Sequence, residues 1–130
     1  MTFVARPLTF RGRVEKGDGF ASDLGCPTAN VAIEQGLIIP ALGVYIGETH
    51  MDGIIYPSLV FVNDGREGSQ LKMEVHLLDI CKDLVGRQIV VVLLEKIRDI
   101  VPFPGDEEMI VMLKTDLETC RRWFENRKDN

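Results

Sequence analysis

Cysteine is scarce in this chain of 130 residues, which has only Cys26, Cys81 and Cys120. Their number is odd, their spacing is wide, and no Cys-x-x-Cys pair or cluster of histidine and cysteine occurs. Such spacing supports neither a structural zinc site nor a disulfide framework. We therefore interpret the three cysteines as small buried hydrophobes in a reducing compartment.

Long apolar runs are also absent. The longest, at residues 89–94, is far too short to span a bilayer, and the first seven residues contain no apolar core of signal-peptide length. These absences predict a soluble, cytoplasmic protein.

Basic residues are fewer than acidic residues. Lysine and arginine number 15 against 20 aspartates and glutamates, so the formal net charge is −5. An acidic chain has little general affinity for nucleic acid or anionic membranes, although a local basic pocket stays compatible with this charge. We expect neither nucleic acid nor a membrane among the partners.

The common phosphate-handling motifs are missing as well. No Gly-x-x-x-x-Gly-Lys-Ser/Thr loop occurs. The protein-kinase signature set is absent, since Ile-Arg-Asp at 97–99 has no catalytic-loop continuation. If this chain uses ATP, it does so by another design.

What the chain does contain is a series of short β-rich runs separated by glycine, proline, asparagine and aspartate. Six such runs predict strands, at residues 8–14, 28–33, 43–49, 54–62, 71–79 and 88–97. Six strands favour a small closed barrel over an open sheet with exposed edges. From Pro104 onward apolar residues recur at helical spacing, which predicts a helix lying across the barrel with its methionine and aromatic stripe facing the core. We expect residues 1–130 to form one domain.

The first informative segment is a glycine-flanked turn at 17–19, followed by Pro-Thr-Ala-Asn at 27–30. The glycines allow close backbone approach to a ligand and offer amide N–H groups. Thr28 and Asn30 are two residues apart on a predicted strand, so they share a face, where their oxygens could hold Mg²⁺ or orient a phosphate. The alternative is a Pro-Thr turn with Asn30 bonded to the backbone, and the spacing alone favours it.

The second informative segment is the strand that contains Glu74 and His76 on one face. A carboxylate on a largely apolar strand is costly to bury unless it is partnered or functional. Beside a substrate hydroxyl, Glu74 could accept its proton during phosphoryl transfer. The alternatives are a solvent-facing Glu/His pair on an edge strand and, for His76, a purely structural histidine.

Together these residues resemble the signature of the ATP-dependent riboflavin kinases, or flavokinases, as found in the kinase domain of bifunctional FAD synthetases. The similarity runs in the family's order from about Leu8 to the end of the helix. Its matching segments are residues 12–14, 17–19, 24–25, 27–30, 43–45, 73–79, 83–84, 86, 97–99, 103 and 116.

This resemblance implies a mainly β fold, a six-stranded Greek-key closed β-barrel with a C-terminal α-helix packed on it. It implies that the γ-phosphoryl group of ATP passes to the ribityl 5′-hydroxyl of riboflavin, giving FMN and ADP. Riboflavin, FMN, ATP and ADP are then the partners, with Mg²⁺ as the cofactor, and we expect a monomer.

The resemblance also implies roles for individual residues. Glu74 takes the role of catalytic base. Thr28 and Asn30 bind the metal and the nucleotide. The remaining implied positions are Gly17, Asp18 and Gly19 for the nucleotide, and Arg98 and Phe103 for the flavin.

The chain departs from the family pattern at its loops. Residues 20–23 replace the basic residues and glycine that usually follow the first loop, residues 63–68 replace a Gly-x-x-Pro-Thr-like loop, and Val85 stands where tyrosine is common. These changes support an alternative function, a catalytically impaired flavin- or nucleotide-binding module on the same fold. A small β-barrel adaptor for protein or nucleic acid is a third interpretation, which the acidic charge disfavours. The same kinase domain often forms the C-terminal half of a bifunctional FAD synthetase, whose adenylyltransferase half needs a His-x-x-His-type signature, and 130 residues leave no room for that half. If the chain is complete, we expect it to make FMN without adenylating it; the alternative is a domain excised from a bifunctional enzyme.

Overall fold

The structure is a computed structural model that describes residues 2–16, 29–33, 40–63, 72–102 and 104–128. Six strands and one helix occur in these ranges. They are β1 (Thr2–Lys16), β2 (Ala29–Ile33), β3 (Gly43–Met51), β4 (Ile54–Asn63), β5 (Lys72–Leu77), β6 (Gln88–Arg98) and α1 (Asp106–Lys128).

The strands form a closed antiparallel barrel in the order β1-β2-β5-β4-β3-β6. β2 pairs with β5, not with the next strand along the chain, and the β1–β6 pair closes the sheet. The predicted six-stranded barrel with a C-terminal helix is confirmed. β1 begins earlier than its pattern predicts, because a register shift between Phe3 and Leu8 lets the strand continue past an irregularity.

The hairpin between β3 and β4 forms at the Asp-Gly pair of residues 52–53, a pair that is typical of tight hairpin connections. Met51 pairs with Ile54, and Asp52 and Gly53 between them have φ angles of 54° and 78°. Positive φ at both central residues matches the right-handed twist of the strands, and aspartate and glycine tolerate it best.

Alternate residues of the strands create two apolar clusters. One fills the barrel interior and includes Val60, Val75 and Val91. The other lies between the outer faces of β3 and β4 and one side of α1, where it buries Leu59, Leu113, Cys120 and their neighbours. The second cluster fixes α1 across the barrel.

The two cysteines within the described residues differ. Cys120 is a free thiol on the side of α1 that faces the barrel, and it is buried, as expected. Cys81 is exposed and disulfide-bonded, so the interpretation of it as a buried hydrophobe and the expectation that it forms no disulfide are both wrong. The physical reason is its place after β5, in an exposed segment with no core to bury it.

Candidate functional site

One row of residues crosses the outer face of the barrel. It contains the three predicted site residues that the structure describes, Asn30, Glu74 and Arg98. Asn30 on β2 is directly opposite Glu74 on β5, and Glu74 is opposite Phe61 on β4. Phe61 is in turn opposite Val44 on β3, and Val44 is opposite Arg98 on β6. Directly opposed residues point to the same face, so three predicted positions far apart in sequence share one line.

Asn30 and Glu74 are neighbours in this row, with Cβ atoms about 5 Å apart for a pair in this register. Asn30 Oδ1 and Glu74 Oε2 are both buried and have no hydrogen-bond partner among the described residues. Unpaired buried oxygens cost free energy that a folded chain normally avoids. Two of them side by side mark the place in the barrel best suited to a ligand.

Burial excludes the interpretation of Glu74 and His76 as a solvent-facing pair on an edge strand. The two residues are 5% and 6% exposed, and β5 is an inner strand between β2 and β4. The backbone-bonded alternative for Asn30 gains no support either, since its Oδ1 makes no such bond within the described ranges.

Lys72 lies next to Glu74 on the same face of β5. Its Nζ is 3.3 Å from Glu74 Oε1, and its side chain is 42% exposed. The ion pair therefore engages one carboxylate oxygen of Glu74 and leaves the other, Oε2, as the unpaired one.

His76 follows Glu74 on the outer face of β5. Burial lowers its pKa, Arg121 lowers it further, and Asp79 opposes the shift. His76 is therefore neutral at neutral pH. It provides an uncharged polar surface beside Glu74 and no positive charge for a phosphate.

Arg98 is committed to a partner on α1. Its Nε donates to Asp116 Oδ1 at 2.9 Å, and its Nη2 donates to Asp116 Oδ2 at 2.7 Å. Its Nη1 also donates to the backbone oxygen of Asp99 at 3.1 Å. The guanidinium thus ties the end of β6 to the helix, and its predicted role toward a flavin stays a prediction.

Asp116 was not predicted as the partner of Arg98. It is 5% exposed and lies among apolar helix positions, beside Leu117 and one turn after Leu113. An aspartate on the buried side of an amphipathic helix is the signal that sequence reasoning could have used, because such a carboxylate needs a cation.

A cleft of about 420 Å³ opens at the Arg98 end of the row, between α1 and the ends of β4 and β6. We call it the Met109 cleft. Its wall is mostly apolar, with Phe61, Asn63, Arg98, Ile100, Val101, Pro102, Met109 and Met112. Met112 was predicted to face the core, but it lines this cleft. A mostly apolar wall with a few polar groups is typical of a small-molecule site.

A second cleft, of about 390 Å³, lies on the other side of α1 near the far end of β5. We call it the His76 cleft. Its wall contains His76, Leu77, Asp79, Ile80, Cys81, Lys114, Leu117 and Arg121. Arg121 is paired with Asp79 at 2.6 Å, which leaves Lys114 as a further positive charge on this wall.

Five predicted site residues lie outside the described residues, namely Gly17, Asp18, Gly19, Thr28 and Phe103. The divergent residues 20–23 and most of 63–68 also lie outside them. The roles assigned to all of these stay predictions.

The fit of a magnesium ion depends on oxygen donors. No group of three or more histidines, cysteines or acids in the described ranges could hold a metal. Mg²⁺, however, is usually held by only one or two protein oxygens together with substrate phosphates. The unpaired Oδ1 of Asn30 beside Glu74 fits that requirement. In the same ranges, no helix is long and apolar enough to cross a membrane.

Comparisons with known proteins match most of this chain. Residues 4–124 match the family model for flavokinase, or riboflavin kinase. The chain is 33% identical over 129 residues to the bifunctional riboflavin kinase/FMN adenylyltransferase of Escherichia coli K12, covering 95% of this chain and 40% of that protein. The enzyme of the same description from Pseudomonas fluorescens is 32% identical over 125 residues, covering 91% and 39%.

Two solved structures share the fold. The macrolide-efflux protein from Streptococcus pneumoniae superposes with a TM-score of 0.80 at 31% identity, covering 90% of this chain and 39% of that one. Riboflavin kinase from Trypanosoma brucei superposes with a TM-score of 0.64 at 22% identity, covering 92% and 81%. The chain spans about 40% of the length of the curated relatives it matches.

Proposed function

This chain belongs to the riboflavin kinase family, and on that premise we propose that it transfers the γ-phosphoryl group of ATP to the ribityl 5′-hydroxyl of riboflavin, giving FMN and ADP. The observation that carries the proposal is the buried carboxylate of Glu74, whose Oε2 has no partner among the described residues. A carboxylate held in this way is suited to accept a proton from a substrate hydroxyl.

The Met109 cleft is the proposed flavin site. Its volume of about 420 Å³ is within the usual range for small-molecule pockets, and its apolar wall suits a planar ring system. Phe61 belongs to this wall and is directly opposite Glu74. A flavin ring in the cleft can therefore extend its ribityl chain past Phe61 to the carboxylate.

The proposed chemistry is a single displacement. The 5′-oxygen of riboflavin bonds to the γ-phosphorus, the bond between that phosphorus and the ADP oxygen breaks, and Glu74 Oε2 takes the hydroxyl proton. Phosphoryl transfer depends mainly on positioning and charge neutralisation, so one base among well-placed polar groups is sufficient.

The nucleotide is proposed to bind toward the His76 cleft. That cleft is at the end of the barrel where β2 begins, at Ala29, and the predicted nucleotide loop precedes Ala29 in the sequence. Lys114 offers there a positive charge that residues 20–23 lack. Asn30, with Thr28 as predicted from the sequence, would hold Mg²⁺, which when bound neutralises charge on phosphate oxygens.

The first experiment is a chromatographic assay for FMN after mixing the protein with riboflavin, ATP and Mg²⁺. Glu74→Gln should lower kcat by about 10²-fold or more, the usual scale for loss of a general base, because the amide cannot take the proton. Its dissociation constant for riboflavin should stay near the wild-type value. Glu107→Gln, at an exposed position in the first turn of α1, is the control and should turn over like wild type.

Wild-type turnover in Glu74→Gln would remove this residue from the role of base. A second candidate function, a flavin-binding module without turnover, is favoured by the loss of basic residues at 20–23. That function predicts flavin binding with no FMN formed under any divalent cation tested.

A further inference from the structure

We propose that Lys72 positions Glu74 for catalysis and then binds the 5′-phosphate of the product, so that it sets the preference of the site for FMN over riboflavin. This inference rests on the proposed function. It concerns a residue outside the segments that carry the family resemblance.

The first part follows from the ion pair. Lys72 and Glu74 are two apart on β5, so both side chains leave the same face of the strand. The 3.3 Å contact from Lys72 Nζ to Glu74 Oε1 engages that oxygen. Oε2 is the oxygen that stays unpaired among the described residues, and it is therefore the one offered to the substrate hydroxyl.

The second part follows from the position of Lys72 next to the wall of the Met109 cleft. Lys72 is directly opposite Asn63, just as Glu74 is opposite Phe61. Asn63 and Phe61 both belong to the wall of the cleft. The ion pair therefore borders the cleft in which the flavin is proposed to lie.

The product phosphate forms within reach of this lysine. The phosphoryl group is transferred to the hydroxyl oxygen that faces Glu74, so its phosphorus ends one bond away from that oxygen. Lysine has three N–H donors on a flexible stem, and the ion pair with Glu74 leaves donors available. Because the Lys72 side chain is 42% exposed, it can turn toward the new phosphate without giving up a buried environment.

Two other cations near the row, Arg98 and Lys96, are paired with other acids. Arg98 Nη2 is 2.7 Å from Asp116 Oδ2, and Lys96 Nζ is 2.6 Å from Asp99 Oδ1. Among the described residues, Lys72 is the cation in direct contact with the proposed base. The phosphate of FMN is therefore expected to take its positive partner from Lys72.

The test compares the dissociation constants of FMN and riboflavin, each followed by the change in flavin fluorescence on binding. Lys72→Met should weaken FMN binding by about tenfold to a hundredfold, the scale of a hydrogen bond to a charged group, and should leave the riboflavin constant within about twofold. Lys72→Arg should restore most of the FMN affinity. Lys82→Met, which removes the same charge from an exposed position beside Tyr56, should change neither constant.

Turnover gives the second readout. Lys72→Met should lower kcat more than it raises the KM for riboflavin, since the misplaced Glu74 affects the reaction more than flavin binding. An unchanged ratio of FMN to riboflavin affinity in Lys72→Met, in a preparation whose wild type forms FMN, would overturn the Lys72 proposal alone. Absence of flavin binding by the wild type would overturn this proposal together with the proposed function.

Discussion

Among the described residues, the carboxylates of Asp116 and Glu74 are buried, and they differ in how their oxygens are paired. Both oxygens of Asp116 accept hydrogen bonds from Arg98. Glu74 has an ion pair at Oε1 and no partner among the described residues at Oε2. Since a fully paired carboxylate has little capacity left for a ligand, Asp116 is suited to hold the fold and Glu74 to act on a substrate.

The ion pair between Arg98 and Asp116 leads to a prediction about the free energy of unfolding. Arg98→Met should leave the buried charge of Asp116 without a partner and lower the free energy of unfolding by about 3–5 kcal/mol, measured by urea denaturation. Arg121→Met removes an equally bidentate arginine from the exposed Asp79, and should cost about 1 kcal/mol or less. Equal losses in the two variants would show that burial of Asp116 does not govern the energy of its ion pair.

At the scale of elements, α1 matters because it separates the two clefts. Met109 and Met112 line one of them, and Lys114 and Leu117 line the other. The acidic first turn of α1, residues 106–108, complements the positive end of the helix dipole, as its sequence predicts. The helix therefore forms a wall of both proposed substrate sites, and its packing should affect both.

Leu113 is the test of that packing. It is 1% exposed in the cluster beneath α1, so Leu113→Ala should lower the free energy of unfolding by about 2–5 kcal/mol through lost burial and a cavity. Val111→Ala, at a position 62% exposed on the same helix, should change it by about 0.5 kcal/mol or less. Denaturant titrations of both variants measure the difference, and a comparable loss in Val111→Ala would contradict the assigned helix face.

At the scale of the whole molecule, barrel closure determines which residues meet. β2 pairs with β5, which is not the next strand along the chain, and this pairing puts Asn30 opposite Glu74. The same closure encloses the inner face of β5, and the outer face, which carries Glu74 and His76, is also buried. A closed sheet of this order therefore brings the residues of the site together, and burial of its outer face at β5 desolvates them.

Burial of His76 predicts a pH dependence of the stability of the whole fold. Its pKa in the folded state is below the ordinary value of 6.5, mainly through burial, so the unfolded chain binds a proton more readily. The resulting stability is complete above pH 6.5 and decreases as the pH falls below it. His76→Gln, which cannot titrate, should lose less stability than wild type between about pH 7.5 and pH 5, measured by urea denaturation. Parallel losses in the two proteins would contradict a buried neutral His76.

Sequence alone was sufficient for the fold class and for the family, whereas the catalytic role of Glu74 stays a prediction. Strand alternation, the Asp-Gly turn, the helical period after Pro104 and the Glu-x-His strand are all local patterns, so they can be read without knowing which strands meet. Residue contacts across the chain were harder to predict. The roles of Gly17, Asp18, Gly19, Thr28 and Phe103 stay predictions of the sequence.

Only the tertiary structure decided how the site is assembled. The shared row of Asn30, Glu74 and Arg98 depends on the pairing register of five strands. The capture of Arg98 by Asp116 depends on how α1 docks across the barrel. The structure also shows that Lys72 contacts Glu74 and is directly opposite Asn63, a residue of the cleft wall. Local pattern determines which side chains are available, whereas register and docking, which depend on contacts between distant segments, determine which of them meet.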